Sequence, residues 1–367
     1  MKGYSIYLPS YTIGEGVYEN IGSICTPYGK TAVVIGGHRA VESARKAICE
    51  GAESGKIEIL DFVWYGGECS YENLEILKAN ETVQKADMIF AVGGGKATDT
   101  AKALAEQTEK PVFTFPTIAS NCSACTSVSI MYHTDGSFLK PYFLKKPPVH
   151  AFIDLGIIAK SPERYMWAGM GDTYAKYFES TVSSRGEHLN HYVGLGVTIS
   201  QMCLNPILEY GAKAMEDNRA GRVSEELAQT VLAIVVSTAL TSILVTQDRI
   251  IDYNTGLAHA IFYALTSFPQ IEEGHLHGEV VGFGVLILLL VDGQKEMFEK
   301  MYEFNKSVGL PTSLADVEIT EEALPQVIEK TMQMKDIDHN PYPVTADLLE
   351  KAFAQLAERN REDGEAK

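Results

Sequence analysis

Short apolar runs alternate with amphipathic stretches over the first 155 or so residues. Residues 31–35, 57–60, 88–92, 112–115 and 151–153 are rich in β-branched and aromatic side chains and have the length of buried strands. Between them, residues 40–50 and 71–85 carry apolar positions at helical spacing. Strands that alternate with helices predict a parallel sheet covered on both faces. Ligands of such sheets bind beyond the carboxyl ends of the strands.

After residue 160 the pattern changes. Ser161-Pro162-Glu163 offers a serine cap and a proline for the first turn of a helix. Helical patterns follow at 173–180, 189–215, 224–246, 255–266 and 279–294, and strand-like runs almost vanish. The expected architecture is an α/β Rossmann-like domain with a parallel sheet over residues 1–158, then an all-α domain over 159–367. The charged tail, 358–367, reads as a frayed end. No internal repeat or low-complexity segment interrupts the chain.

Composition narrows the function classes. The 367 residues suffice for two domains with good cores, and 46% apolar with 22% charged residues fits a globular protein. A net charge of −17 without a basic cluster argues against nucleic acid and anionic membranes as partners. The apolar run 280–291 is broken by Gly282 and Gly284 and is too short to span a bilayer. The opening Met1-Lys2-Gly3-Tyr4-Ser5-Ile6 lacks the apolar core of a signal peptide. Six scattered cysteines show no disulfide framework, so a reduced, cytoplasmic protein is expected. Cys122 and Cys125 form a lone Cys-x-x-Cys, read as loop cysteines with a redox pair as the alternative.

One stretch carries chemistry directly. The run Met88-Ile89-Phe90-Ala91-Val92 leads into Gly93-Gly94-Gly95-Lys96-Ala97-Thr98-Asp99, where a helix begins. Glycines let backbone approach a bulky anion, and the helix behind them aims N–H groups and a positive dipole end at the same point. A phosphate or pyrophosphate is the natural occupant. The spacing is neither Gly-x-Gly-x-x-Gly nor the Gly-Lys-Ser/Thr phosphate loop. Lys96 can equally be a solvated lysine, and Asp99 a first-turn acid that complements the dipole.

Three residues of the helical half have the character of metal ligands. Asp172 lies in Gly169-Met170-Gly171-Asp172, His259 in Gly256-Leu257-Ala258-His259-Ala260, and His277 in His275-Leu276-His277-Gly278-Glu279. The histidines are 18 residues apart, with Phe268-Pro269 between them to break the helix. Two histidines and a carboxylate with an open position make a catalytic metal arrangement. Each histidine can also be a core residue, and Asp172 a helix cap.

Taken in order, Gly93-Gly94-Gly95-Lys96 with Asp99, Pro116-Thr117-Ile118-Ala119-Ser120, Gly169-Met170-Gly171-Asp172, His259 and His277-Gly278-Glu279 resemble the metal-dependent, iron-containing alcohol dehydrogenases over nearly the whole chain. The glycerol dehydrogenase branch is the most similar. The resemblance implies a dehydroquinate synthase-like architecture with the active site in a cleft between a dinucleotide-binding and a helical domain. It implies that Gly37, Gly93, Gly94, Gly95, Lys96, Asp99, Thr117, Ser120, Thr126, Val128 and Tyr132 form the NAD or NADP site. It also implies that Asp172, His259 and His277 hold one divalent metal, with zinc expected and iron or nickel as alternatives. Metal-assisted hydride transfer on a small-molecule substrate would follow, in a homo-oligomer, a dimer or an octamer.

Three departures from the branch change the expectation. Cys122 stands where the branch has a polyol-binding aspartate, and Phe262 where it has a second histidine. Both make the substrate site less polar. Residues 116–132 and 171–176, with Pro343-Val344-Thr345, look closer to a sub-branch that reduces 2-oxo acids. The expected substrate is therefore a 2-hydroxy acid/2-oxo acid pair, with glycerol as the alternative. Third, the first strand ends Ile35-Gly36-Gly37-His38-Arg39 without the acid that would bind the adenosine ribose, which opens the site to NADP. His275 reads as a surface histidine, with a proton-relay role as the alternative. A dehydroquinate-synthase-like lyase, a glycerol-1-phosphate dehydrogenase and an inactive NAD(P)-binding protein remain as other classes.

Overall fold

Side-chain alternation along the central strands builds the first half of the molecule. The structure, a computed structural model, describes residues 3–247 and 253–365. Its strands are β1 (Tyr11–Gly14), β2 (Thr31–Gly36), β3 (Glu58–Trp64), β4 (Met88–Gly93), β5 (Val112–Pro116), β6 (Val128–Tyr132), β7 (Phe138–Phe143) and β8 (His150–Asp154). Six of them form a parallel sheet in the order β1-β8-β5-β4-β2-β3. On one face, Val34, Phe90, Val92, Phe113 and Phe115 pack on Ala44 and Ile48 of the helix His38–Ser54. On the other, Val33, Ile35, Ile89 and Ala91 pack on Leu74, Leu77, Ala101 and Leu104. Successive residues thus serve opposite faces, and a strand buried on both sides reads as one continuous apolar run.

Several boundaries differ from the sequence reading. The helix expected over 71–85 is two, because the Asn80 side chain accepts the Thr82 and Val83 N–H groups and starts a new helix, Glu81–Lys85. Edge strand β1 and the antiparallel ribbon β6–β7 were not foreseen. Both are short or largely exposed, so neither shows a buried apolar run.

The chain groups into two compact units, Met1–Glu163 with Glu216–Ile243, and Arg164–Met215 with Leu244–Lys367. Residues 216–243, read as part of the helical half, therefore group with the sheet. The Asn218 side chain gives a reason, since it donates to the carbonyls of Ile158, Ala159 and Ser161 at 3.3, 3.0 and 3.1 Å. The helical segment Glu225–Val245, with a wide π turn at Ala233–Ser237, is long and apolar enough by composition to cross a membrane. Most of it is buried within the protein, as a core helix would be.

In the second unit, no strand occurs among the described residues. The helix His277–Val291 is apolar on all sides, and nearly all its residues are buried against neighbouring helices. The tail is helical rather than frayed, as part of Ala346–Glu365. Arg359 pairs with Glu299 and Glu303 at 2.8 and 2.7 Å, and Lys306 with Asp363 at 2.6 Å. The final two residues lie outside the described residues.

Candidate metal centre and cofactor loop

Asp172 sits inside the helix Glu163–Ser183, so it does not cap one. His259 lies on the helix Leu257–Leu265, and His277 is the first residue of His277–Val291. Asp172 Oδ1 is 3.5 Å from His277 Nε2 and 3.8 Å from His259 Nε2. One ligand atom from each of the three residues lies within 4.8 Å of the others. Tetrahedral ligands at ~2.1 Å from a metal would be about 3.4 Å apart, so the spacing fits a divalent cation. His259 and Asp172 are buried, whereas the His277 side chain is 45% exposed, which leaves the cluster open on its side.

Glycine contacts bring the ligands together. A Cβ on Gly171 would stand 2.0 Å from Gly278 O, and one on Gly278 would stand 2.0 Å from Ala168 O. The two helices therefore meet backbone to backbone beside Asp172 and His277. Burial works against the Asp172 charge, but the hydrogen bond and charge of His277, with His259 and Lys176, hold its carboxyl far below the usual range.

Glu179, which the sequence reading missed, orients His259. Its carboxylate is fully buried and lies 2.6 Å from His259 Nδ1. Its other oxygen accepts the N–H groups of Gly256 and His259, both at 2.9 Å, and so completes the helix start. A proton on Nδ1 leaves Nε2 as the ligand atom, which is the usual carboxylate–histidine–metal relay. The available signal was spacing, because Asp172, Lys176 and Glu179 fall on one helix face. Lys176 is buried and bonds to Asn254 Oδ1 at 2.8 Å.

His275 is not a surface histidine. Its side chain is 9% exposed, and Nδ1 lies 2.6 Å from Glu279 Oε1. Glu279 also accepts the Leu276 N–H at 3.0 Å, which fixes the entry into the His277 helix. Phe262 places its ring against His277, with centroids 4.4 Å apart and planes at 80°.

In the sheet unit, Gly93 has φ +139° and ends β4, Gly94 precedes the helix Gly95–Thr108, and Gly37 precedes the helix His38–Ser54. Gly36 of β2 pairs in register with Val92 of β4, so both helix starts lie at neighbouring strand ends. A Cβ at Gly93 would be 3.4 Å from Ala40 Cβ, and one at Gly95 would be 2.6 Å from Asn121 Nδ2. The loop after β5, with buried Thr117 and half-buried Ser120, thus adjoins the glycine loop. Lys96 pairs with Glu68 and lies 5.4 Å from the Tyr132 ring centre. Burial, with Asp99 and Glu68, pushes the Tyr132 hydroxyl up.

Asp99 is not the first-turn acid of its helix, since it lies four residues into Gly95–Thr108. It is buried, with one oxygen 2.9 Å from Lys102 Nζ and the other accepting the Ile130 N–H at 3.1 Å. Thr126 and Val128 gather around the same lysine. Cys122 is half-buried and its carbonyl accepts the Cys125 N–H at 3.0 Å. No disulfide joins the cysteines, and burial pushes the Cys125 thiol up to about 12, which leaves it protonated and unreactive near neutral pH.

The chain is similar to known proteins over most of its length. The family model for iron-containing alcohol dehydrogenase matches residues 9–154. The chain is 35% identical over 294 residues to a glycerol dehydrogenase of Thermotoga maritima, covering 77% of each chain. It is 30% identical over 332 residues to hydroxycarboxylate dehydrogenase A of Escherichia coli K12, covering 89% of each. The solved structure of a probable glycerol dehydrogenase from Sinorhizobium meliloti 1021 superposes with a TM-score of 0.82 at 25% identity, over 98% of this chain and 99% of that one. A parallel nucleotide-binding-type sheet, a helical unit with an Asp-His-His cluster and these relatives together place the chain in the iron-containing alcohol dehydrogenase family of oxidoreductases.

Proposed function

We propose that this protein is a metal-dependent, NAD(P)-linked oxidoreductase that interconverts a small alcohol and its carbonyl compound. The carrying observation is the Asp172–His259–His277 cluster with Glu179 behind it. A divalent cation bound there would supply Lewis acidity to a substrate oxygen, and a nicotinamide would supply the hydride chemistry. The chain's own part is orientation. Glu179 fixes the His259 tautomer, the Gly171–Gly278 contact fixes Asp172 beside His277, and Phe262 shields one side of the His277 ring.

For the substrate, glycerol is supported by the names of several relatives. A 2-hydroxy acid is favoured by Cys122 in the sheet unit and, separately, by Phe262 against His277 in the helical unit, since neither side chain offers the polar group that a polyol would need. For the cofactor, the adenosine end would lie over Gly37 and Arg39 and the nicotinamide end over residues 117–132. Strand β2 ends without an acid, His38 stacks on Trp64 at 5.6 Å, and Arg39 is exposed next in sequence to Ala40, which approaches Gly93. This supports NADP, whose 2′-phosphate an arginine accommodates.

The test is oxidation of NADPH and NADH by the metal-loaded protein with a panel of 2-oxo acids, and glycerol oxidation in reverse. Turnover of either class that chelator removes supports the proposal and selects the substrate. No net turnover with any of them contradicts it and points to a lyase or a binding protein.

A further inference from the structure

The least expected group in the sheet unit is a fully buried ammonium. Lys102 lies one helical turn beyond Asp99 on the helix that follows the glycine loop, and its side chain is 0% exposed. Its Nζ donates to Ser123 O at 2.8 Å, Val128 O at 2.6 Å and Thr126 Oγ1 at 3.1 Å, and lies 2.9 Å from Asp99 Oδ1. An ammonium has three protons, so four close oxygens occupy it completely. The Thr126 hydroxyl passes its own proton on to Val128 O at 3.1 Å.

The surrounding backbone is folded onto this cation. Ser129 Oγ donates to Asp99 O at 3.0 Å, and Asp99 Oδ2 accepts the Ile130 N–H at 3.1 Å. Thr114 Oγ1 donates to Ala124 O at 2.7 Å, and Asn121 Oδ1 accepts the Ser123 N–H at 3.1 Å. Residues 121–127, before β6, have little regular structure of their own, and with the first residue of β6 they close around one side chain. Without that charge, the Ser123 and Val128 carbonyls and the Asp99 carboxylate would sit buried without their strongest partner.

We propose that Lys102 is the positioning residue of the cofactor site: its ammonium is an internal template that holds residues 121–130 in the shape that receives the nicotinamide half. This rests on the proposed assignment of Thr126 and Val128 to that half and of the glycine loop to the pyrophosphate. Lys102 touches neither ligand and acts through Thr126, Val128 and the Cys122–Cys125 turn. The glycine loop, about two turns earlier at the start of the same helix, lies beside Ala40, outside residues 121–130, where a Cβ at Gly93 would stand 3.4 Å from Ala40 Cβ.

The experiment is calorimetric titration of Lys102→Met and wild type with NADPH and with 2′,5′-ADP, which lacks the nicotinamide. The expected result is at least about a tenfold loss of NADPH affinity, with 2′,5′-ADP affinity within about twofold of wild type. A merely structural role would weaken both ligands together. NADPH affinity that stays near wild type overturns the proposal, and so does a loss of 2′,5′-ADP affinity as large as that of NADPH. If the wild type binds neither 2′,5′-ADP nor 5′-ADP, the underlying dinucleotide assignment fails as well. Should Lys102→Met not fold, Lys102→Gln, whose amide still donates two hydrogen bonds, gives the same comparison.

Discussion

Glu179 and His259 form the tightest pairing in the metal centre. One carboxylate oxygen lies 2.6 Å from His259 Nδ1, and the other caps the backbone of the helix that carries His259. The same residue therefore sets both the ring's tautomer and its position. Glu179→Gln keeps the shape but loses the charge that holds a proton on Nδ1. It should weaken metal affinity by about 10–100-fold while the fold survives. Chelator competition on the folded variant measures this, and unchanged affinity would remove Glu179 from the account.

Gly171→Ala should be severe for its size. The new methyl would overlap Gly278 O, a backbone atom with no freedom to rotate away. Overpacking of this kind costs about 1–3 kcal/mol or more. Relief requires the helices to part beside Asp172 and His277. Thermal unfolding should show the destabilisation, and metal titration of the protein that still folds should show weaker binding. A variant with wild-type stability and metal affinity would mean that the helix contact does not set the ligand spacing.

Arg39 offers a check on cofactor choice that needs no catalysis. 2′,5′-ADP should bind at least about tenfold more tightly than 5′-ADP, and Arg39→Ala should erase most of the difference. Equal binding of the two nucleotides by the wild type would assign the protein to NAD.

Much of this was legible in the sequence because the controlling patterns are local. Strands β2, β4, β5 and β8 announce themselves as runs buried on both faces, and Gly93-Gly94-Gly95 marks the turn where a sheet meets a helix dipole. Asp172, His259 and His277 were picked out by residue type and small neighbours, and the fold brings them together. Their supports were harder to see. Glu179 looks like any helical acid until the start of the His259 helix is known to lie beside it. Nothing in the sequence marks Lys102 as buried, because two of its partners are backbone carbonyls, of residues 123 and 128, which carry no side-chain signature, and Thr126 lies far along the chain. His275 and the charged tail were misjudged for a related reason, since a charged or polar residue reads as exposed until its partner is found.

Acid should release one structural clamp in the helical unit. Arg185 holds Asp292 through two hydrogen bonds, at 2.9 and 2.7 Å, and the aspartate is almost fully buried. Burial works against the Asp292 charge, but Arg185, Gln294 and Tyr342 outweigh it and lower its pKa. The folded pKa lies below the unfolded value of about 3.9, so the stabilisation is complete above that pH and is lost as pH falls through the folded value. Arg185→Ala should therefore cost about 1–3 kcal/mol near neutral pH, and progressively less as pH falls below the unfolded value and through the folded one. A pH-independent cost would show that the arginine acts by packing alone.

The central claim is that Asp172, His259 and His277 hold the metal on which turnover depends. Its most direct test is elemental analysis of purified wild type and Asp172→Asn, with turnover measured on the same samples before and after chelation. The account predicts one divalent cation per wild-type chain, with metal and turnover lost together on chelation and restored together on re-addition. It predicts neither in folded Asp172→Asn. Full turnover from metal-free wild type, or from Asp172→Asn, would contradict it.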